Sequence, residues 1–178
     1  MSFLIFNLFL FIIIVFLFLV LSMIWPPDSP WAPWWRTNSK TARAMCSLAK
    51  VSKNDVIYDL GSGDGTALLV ACKEFGAKGV GIEIDPLRVF ISKLRIKFNN
   101  LSKDIAIIRK NFFDVDISNA TVIFIYLVPK TLNKLKPKFL KELKPGTRIV
   151  SFRYKMDLPL KSYDKNYNIN LYVVSSSI

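Results

Sequence analysis

The sequence predicts an α/β protein: a mostly parallel sheet with helices on both faces, preceded by one N-terminal transmembrane helix. Three observations predict it. Short apolar runs alternate with segments of helical spacing after residue 37. A glycine turn, Gly61-Ser62-Gly63-Asp64-Gly65, joins one apolar run to the helix that follows it. Ahead of these, Phe3 to Ile24 is apolar except for Asn7 and Ser22. The 178 residues then divide into an anchor at 1–25, a Trp/Pro-rich interfacial linker at 26–36 and a domain at 37–178.

As a helix, Phe3–Ile24 would be roughly 33 Å long, enough for a hydrocarbon core of about 30 Å. A cleaved signal peptide would need a basic leading region and a small-residue cleavage site. Met1-Ser2 carries no base and Ser22-Met23-Ile24-Trp25 is a poor site, so an uncleaved anchor is expected. Arg36, Lys40, Arg43 and Lys50 follow it, which by the positive-inside rule puts the domain on the cytoplasmic side. Trp25, Trp31, Trp34 and Trp35 suit an interface, and Pro26, Pro27, Pro30 and Pro33 stiffen the linker.

In the domain, Thr37 or Asn38 can cap a helix to about Lys50, with Ala42, Met45, Cys46 and Ala49 on one face. Val56-Ile57-Tyr58 reads as the first strand. The helix from Thr66 ends at Gly76, a C-cap. Lys78–Ile82 is the second strand, and Asp85-Pro86 starts a helix reaching Asn99-Asn100. Ile105–Ile108 is the third strand. Thr121–Tyr126 is the fourth, apolar enough to be covered on both faces. Lys130–Leu143 is helical, bent or split at Pro137. Arg148–Phe152 is the fifth strand, and Asn168–Val174 a final edge strand. Between Met156 and Asn168 there is little strand signal.

The turn is built to bind a nucleotide-like ligand at a helix N-terminus. A dinucleotide fingerprint wants its third glycine where Thr66 stands, and a Walker loop ends in Gly-Lys-Ser/Thr. Asp59, at the strand end, and Asp64, inside the turn, disfavour a pyrophosphate. A cofactor with a cationic end and no phosphate fits, as S-adenosylmethionine does. Glu83 lies about 20 residues beyond the turn, where Rossmann-type folds put a ribose-binding acid.

These motifs resemble class I S-adenosylmethionine-dependent methyltransferases, with a Rossmann-like sheet, from about Pro33 to Phe152. A narrower resemblance rests on Asp59-Leu-Gly-Ser-Gly-Asp-Gly65, Gly81-Ile-Glu-Ile-Asp-Pro86, Tyr126-Leu-Val-Pro129 and Glu142-Leu-Lys-Pro-Gly-Thr-Arg148. It is to the lysine methyltransferases that modify the mitochondrial ATP synthase c-subunit and the adenine nucleotide translocase, together with a broad-specificity archaeal protein lysine methyltransferase.

The resemblance implies roles. Asp59 holds the cofactor's ammonium, with Gly61, Ser62, Gly63, Asp64 and Gly65 as the loop around it. Glu83 accepts the ribose hydroxyls, and Ile84 packs on the adenine. Asn111 stands where many relatives have Asp and can accept from the adenine amino group; Phe112 offers a backbone N–H. Each acid also has a plain reading, as a turn stabiliser or a solvated strand end. Tyr126, beside the transferred methyl, is the catalytic candidate, against a plain role packing on the sheet. Trp35, Thr37 and Leu127 are expected at the substrate entrance, although the tryptophans equally suit an interfacial anchor. Two departures stand out: Arg36 replaces a proline of the family, and Ser151-Phe152-Arg153-Tyr154 stands where relatives often have Ser-His-Asp-Phe. The Asn/Asp-Pro-Pro-aromatic element of adenine and release-factor methyltransferases is absent.

The net charge of +12 reflects either a solvated basic face or attraction to anionic lipid or acidic substrates. No nucleic-acid-binding motif is visible, so a nucleic-acid partner is not expected. The chain has no histidine, which excludes histidine metal ligands and histidine bases, and no metal is expected. Cys46 and Cys72 fit the core of a protein in a reducing compartment. The expected partners are the bilayer and a protein with an accessible lysine. A methyltransferase acting on a lipid, quinone or isoprenoid is one alternative, and a catalytically silent cofactor-binding module another.

Overall fold

The computed structural model describes residues 2–24 and 36–175. The expected linker therefore lies outside the described residues apart from Arg36, and with it Trp25, Trp31, Trp34, Trp35 and the four prolines. Helix α1 spans Ser2–Ile24. Its stretch Phe3–Leu21 has a mean hydropathy of 3.3 and is exposed throughout, and the helix is long and apolar enough to cross a membrane.

The domain alternates as the apolar runs require: α2 Ser39–Leu48, β1 Val56–Leu60, α3 Thr66–Phe75, β2 Lys78–Glu83, α4 Pro86–Phe98, β3 Ile105–Arg109, β4 Val122–Ile125, α5 Pro129–Glu142, β5 Arg148–Phe152, β6 Leu160–Asp164 and β7 Ile169–Val173. The caps are local chemistry. Asn38 accepts the N–H of Thr41, Asp85 accepts that of Arg88, and Gly76 closes α3 at φ 72°.

The seven strands lie in the order β3-β2-β1-β4-β5-β7-β6, the first five parallel and β7 antiparallel to both its neighbours. On one face, Ile57, Phe124 and Val150 pack with Ala42 and Met45 of α2 and Leu68 and Ala71 of α3. On the other, Tyr58, Ile123 and Ile149 pack with Leu132, Leu135 and Phe139 of α5. Each large side chain so buried contributes about 1.5–3 kcal/mol, which sets both faces' cover.

One expectation is corrected and one is narrowed. The expected edge strand, β7, is interior, and the edge is β6. Residues of β6 alternate weakly between half-buried and exposed, so no apolar signature marks it. Helix α5 is not split: it runs through Pro137 as one element. Leu132 and Leu135 before the proline and Phe139 after it are all fully buried, and that packing outweighs the roughly 3 kcal/mol an interior proline costs.

Candidate active site

The strand order reverses between β1 and β4, and a cleft opens there at the carboxyl ends of the strands. Asp59 comes from the end of β1 and Gly61 to Asp64 from the β1–α3 turn, Glu83 from the end of β2 with Ile84 just after it, and Asn111 and Phe112 from beyond β3. Tyr126 and Leu127 follow β4, and Thr37 precedes α2. All of these expected residues line it. Gly65 does not; it caps α3 at φ 77°. Trp35 lies outside the described residues. The lining also includes Arg36, whose segment the family resemblance put near the entrance, and Met45, Thr66 and Arg88, which sequence reasoning had not placed there.

The turn seats closely on β2. A Cβ on Gly81 would stand 2.7 Å from the Ser62 hydroxyl and 2.6 Å from Ile107, so only glycine lets the turn sit there. Gly61, Gly63 and Gly65 all have positive φ, at 87°, 54° and 77°. Glu83 holds the turn from the other side. Its Oε2 accepts the N–H of Gly63 at 2.8 Å, and its Oε1 accepts those of Ile84 at 2.9 Å and Asp85 at 3.0 Å.

Asp59 is buried, and burial pushes its carboxyl up to about 7, with the charges of Glu83 and Asp64 adding to the effect. Asp64 also makes contacts that no local pattern foretells. Its Oδ2 pairs with Arg36 at 2.9 Å and Arg95 at 2.7 Å, while Oδ1 accepts from the hydroxyl of Thr66 at 2.7 Å. Asp64 thus lines the cleft while also carrying two ion pairs within the protein. The Ser62 hydroxyl is buried with no hydrogen-bond partner among the described residues. Buried acid, an unsatisfied hydroxyl and a turn of free geometry fit a ligand with a cationic end and sugar hydroxyls.

At the other end of the cleft, Tyr126 lies edge-on to Phe152, with ring centroids 4.5 Å apart, and stacks on Tyr154 at 6.4 Å. Arg153, at φ 70°, donates from Nη1 to the Tyr126 hydroxyl at 3.3 Å. The segment that departs from the family's Ser-His-Asp-Phe thus surrounds the catalytic candidate. Arg88, Ser92 and Arg95 fall on one helical face, and a polar face on a packed helix is the signal that could have found the arginines.

Residues 59–159 match the family model described as the ANTKMT methyltransferase domain. The chain belongs to this family. It is 38% identical over 160 residues to a protein-lysine N-methyltransferase of Saccharolobus islandicus (strain REY15A), an alignment covering 85% of this chain and 98% of that one. It is 29% identical to the Caenorhabditis elegans lysine N-methyltransferase of the ATP synthase c-subunit, over 66% of this chain and 60% of that enzyme. Among solved structures, an RNA methyltransferase from Salinibacter ruber, in complex with S-adenosyl-L-homocysteine, superposes with a TM-score of 0.78 at 34% identity. That superposition covers 81% of this chain and 96% of the other. The chain is a class I methyltransferase dependent on S-adenosylmethionine.

Proposed function

We propose that the chain is a membrane-anchored protein-lysine N-methyltransferase. The observation that carries this reading is the 38% identity to a protein-lysine N-methyltransferase, spanning 98% of that enzyme. The cleft supports it. Asp59 would hold the cofactor's ammonium, and the free lone pairs of Glu83 would accept the ribose hydroxyls. Ile84, Asn111 and Phe112 would hold the adenine. The Asn111 side chain already accepts the N–H of Phe113 at 3.1 Å, which sets the direction of its amide.

Bound there, S-adenosylmethionine supplies a methyl group on a sulfonium for in-line attack by an amine. The protein's part is to present a neutral lysine. A free lysine has a pKa of about 10.4, and burial beside fixed positive charge lowers it. Arg153 occupies one lone pair of the Tyr126 oxygen, and a second remains to accept an amine N–H. The nitrogen lone pair is then left for the methyl. Thr37 and Leu127 line the path to this end. No histidine is needed, because the proton can pass to water.

Phe3–Leu21 would hold the enzyme in the bilayer, with the basic residues after it on the cytoplasmic side. Its substrate would be a protein whose lysine lies near that surface. A second reading, methylation of RNA, is favoured by the 34% identity to the Salinibacter ruber enzyme. Incubating the full chain with methyl-labelled S-adenosylmethionine and a membrane extract tests both. Label on protein, with steps of about 14 Da on lysine by mass spectrometry, supports the proposal. Label in RNA selects the second reading. Label confined to organic-extractable material selects a lipid, quinone or isoprenoid acceptor.

A further inference from the structure

Helix α4 turns a mixed polar and apolar face to the protein and an apolar stripe to solvent. Its buried face carries Arg88 and Ser92 beside Val89 and Ile96, with Arg95 reaching in to Asp64. Its outward face carries Phe90, Leu94 and Phe98 at intervals of four residues, 58%, 38% and 80% exposed. That spacing puts the three in one stripe along the helix. Lys93 and Lys97 are exposed between them and make no ion pair among the described residues. The helix contains no acidic residue.

We propose that this face docks on an anionic lipid surface, an inference that rests on the membrane-anchored reading. Aromatic and leucine side chains that enter the headgroup boundary, with lysines beside them, form the pattern of an in-plane interfacial helix. The lysines meet the negative potential of anionic lipid. A second copy of the chain is a poor occupant, because two-fold pairing of this stripe would set Lys93 and Lys97 against like charges. The N-terminal turn of α4 supplies Arg88 to the cleft. Docking therefore holds the cleft beside the bilayer, where a lysine at the membrane surface can reach it, and the tether of α1 raises the local concentration of the docking face.

The test places an environment-sensitive dye on the full chain through Phe98→Cys; Cys46 and Cys72 are buried and escape labelling. A control carries the dye at Asn166→Cys, on the β6–β7 turn at the opposite edge of the sheet. The proteins are reconstituted into phosphatidylcholine vesicles, with or without phosphatidylserine, containing headgroup spin labels. The dye at 98 should shift to the blue and be quenched at least about twofold more than the dye at 166, in the anionic vesicles only. Lys93→Glu with Lys97→Glu should abolish the difference, with circular dichroism confirming an unchanged fold. Equal quenching at both positions on protein that floats with the vesicles overturns docking and leaves the anchor standing. Protein that does not float overturns the anchor reading, and an unquenched dye at 98 in that sample overturns docking as well. A blue shift that grows with protein concentration in detergent micelles assigns the face to self-association and overturns the proposal.

Discussion

Gly63 donates its backbone N–H to Glu83 across 2.8 Å, from one side of the cleft to the other. The same carboxylate also accepts the N–H groups of Ile84 and Asp85, so it ties the glycine turn to the start of α4. An acid expected to serve the ribose alone is also the clasp that shapes the turn. Its two oxygens have lone pairs for both tasks.

Glu83→Ala should therefore have two effects. Cofactor affinity, measured by calorimetry, should fall roughly ten- to hundredfold, the value of a charge-assisted contact. The melting temperature should fall as well, because three N–H groups lose their acceptor. Glu83→Gln, which keeps one acceptor oxygen, should recover part of the stability and little of the affinity. Unchanged affinity in both variants would remove Glu83 from the cofactor site.

Asp59 makes cofactor binding depend on pH. With its carboxyl pushed up to about 7, a growing fraction is neutral below that value and cannot pair with a cation. Affinity for S-adenosylmethionine should weaken as pH falls from about 8 to 6, and Asp59→Asn should be weak and flat across that window. Stability runs the other way. A carboxyl whose pKa is raised on folding contributes stability fully below the unfolded value near 3.9, and this is lost as pH rises through about 7. The apo Asp59→Asn protein should therefore melt progressively higher than the wild type as pH rises from about 4 to 8. Melting curves without cofactor that coincide at both ends would contradict the assignment.

Arg148 and Asp55 form an ion pair at the amino ends of the strands, away from the cleft. Arg148 also donates to the carbonyl of Ala49 at 2.6 Å, and Asp55 accepts from Thr121 at 2.7 Å and Ser52 at 2.8 Å. Burial works to raise the Asp55 carboxyl, but the Thr121 and Ser52 hydrogen bonds and the Arg148 charge together hold it below its usual value. Its stabilising contribution is present above the unfolded pKa near 3.9 and is lost as pH falls through the lower folded value. Arg148→Met should cost about 2–4 kcal/mol in denaturant unfolding and leave cofactor affinity unchanged. A loss of affinity on the intact fold would show that this end of the sheet couples to the site.

Tyr126 and Arg153 should separate by kinetics. Tyr126→Phe keeps the ring packed against Phe152 and removes only the oxygen, so turnover should fall about tenfold or more with cofactor affinity unchanged. Arg153→Met should raise the optimum pH for the acceptor, because removing a cation from the channel raises the amine's pKa. An unaltered pH profile in Arg153→Met would assign Arg153 to packing alone.

Phe3–Leu21 should keep the protein in membranes through alkaline carbonate washing. Protease added outside intact cells should leave the domain whole. Extraction by carbonate would refute the anchor, and external cleavage would reverse the orientation.

The sequence by itself determined the parallel half of the sheet. β1, β2, β4 and β5 are largely buried and β3, at the edge, still keeps Ile105, Ile107 and Ile108, so each reads as an apolar run bounded by its own turn. It also determined the caps at Asn38, Gly76 and Asp85, because capping is chemistry between residues a few positions apart. The glycine turn and Glu83 were legible for a similar reason: close backbone approach demands particular residue types. Tertiary structure alone decided the rest. β6 exists because β7 offers it hydrogen bonds, and an edge strand needs no apolar pattern to accept them. α5 stays whole because its buried face bridges Pro137. Asp64 is paired with Arg95, 31 residues away in sequence, only because α4 folds against the glycine turn. Local pattern records which groups each residue would rather meet. Which group it does meet, when the candidates are tens of residues apart, depends on the register of the sheet and the packing of helices on it, and no short stretch of sequence contains those.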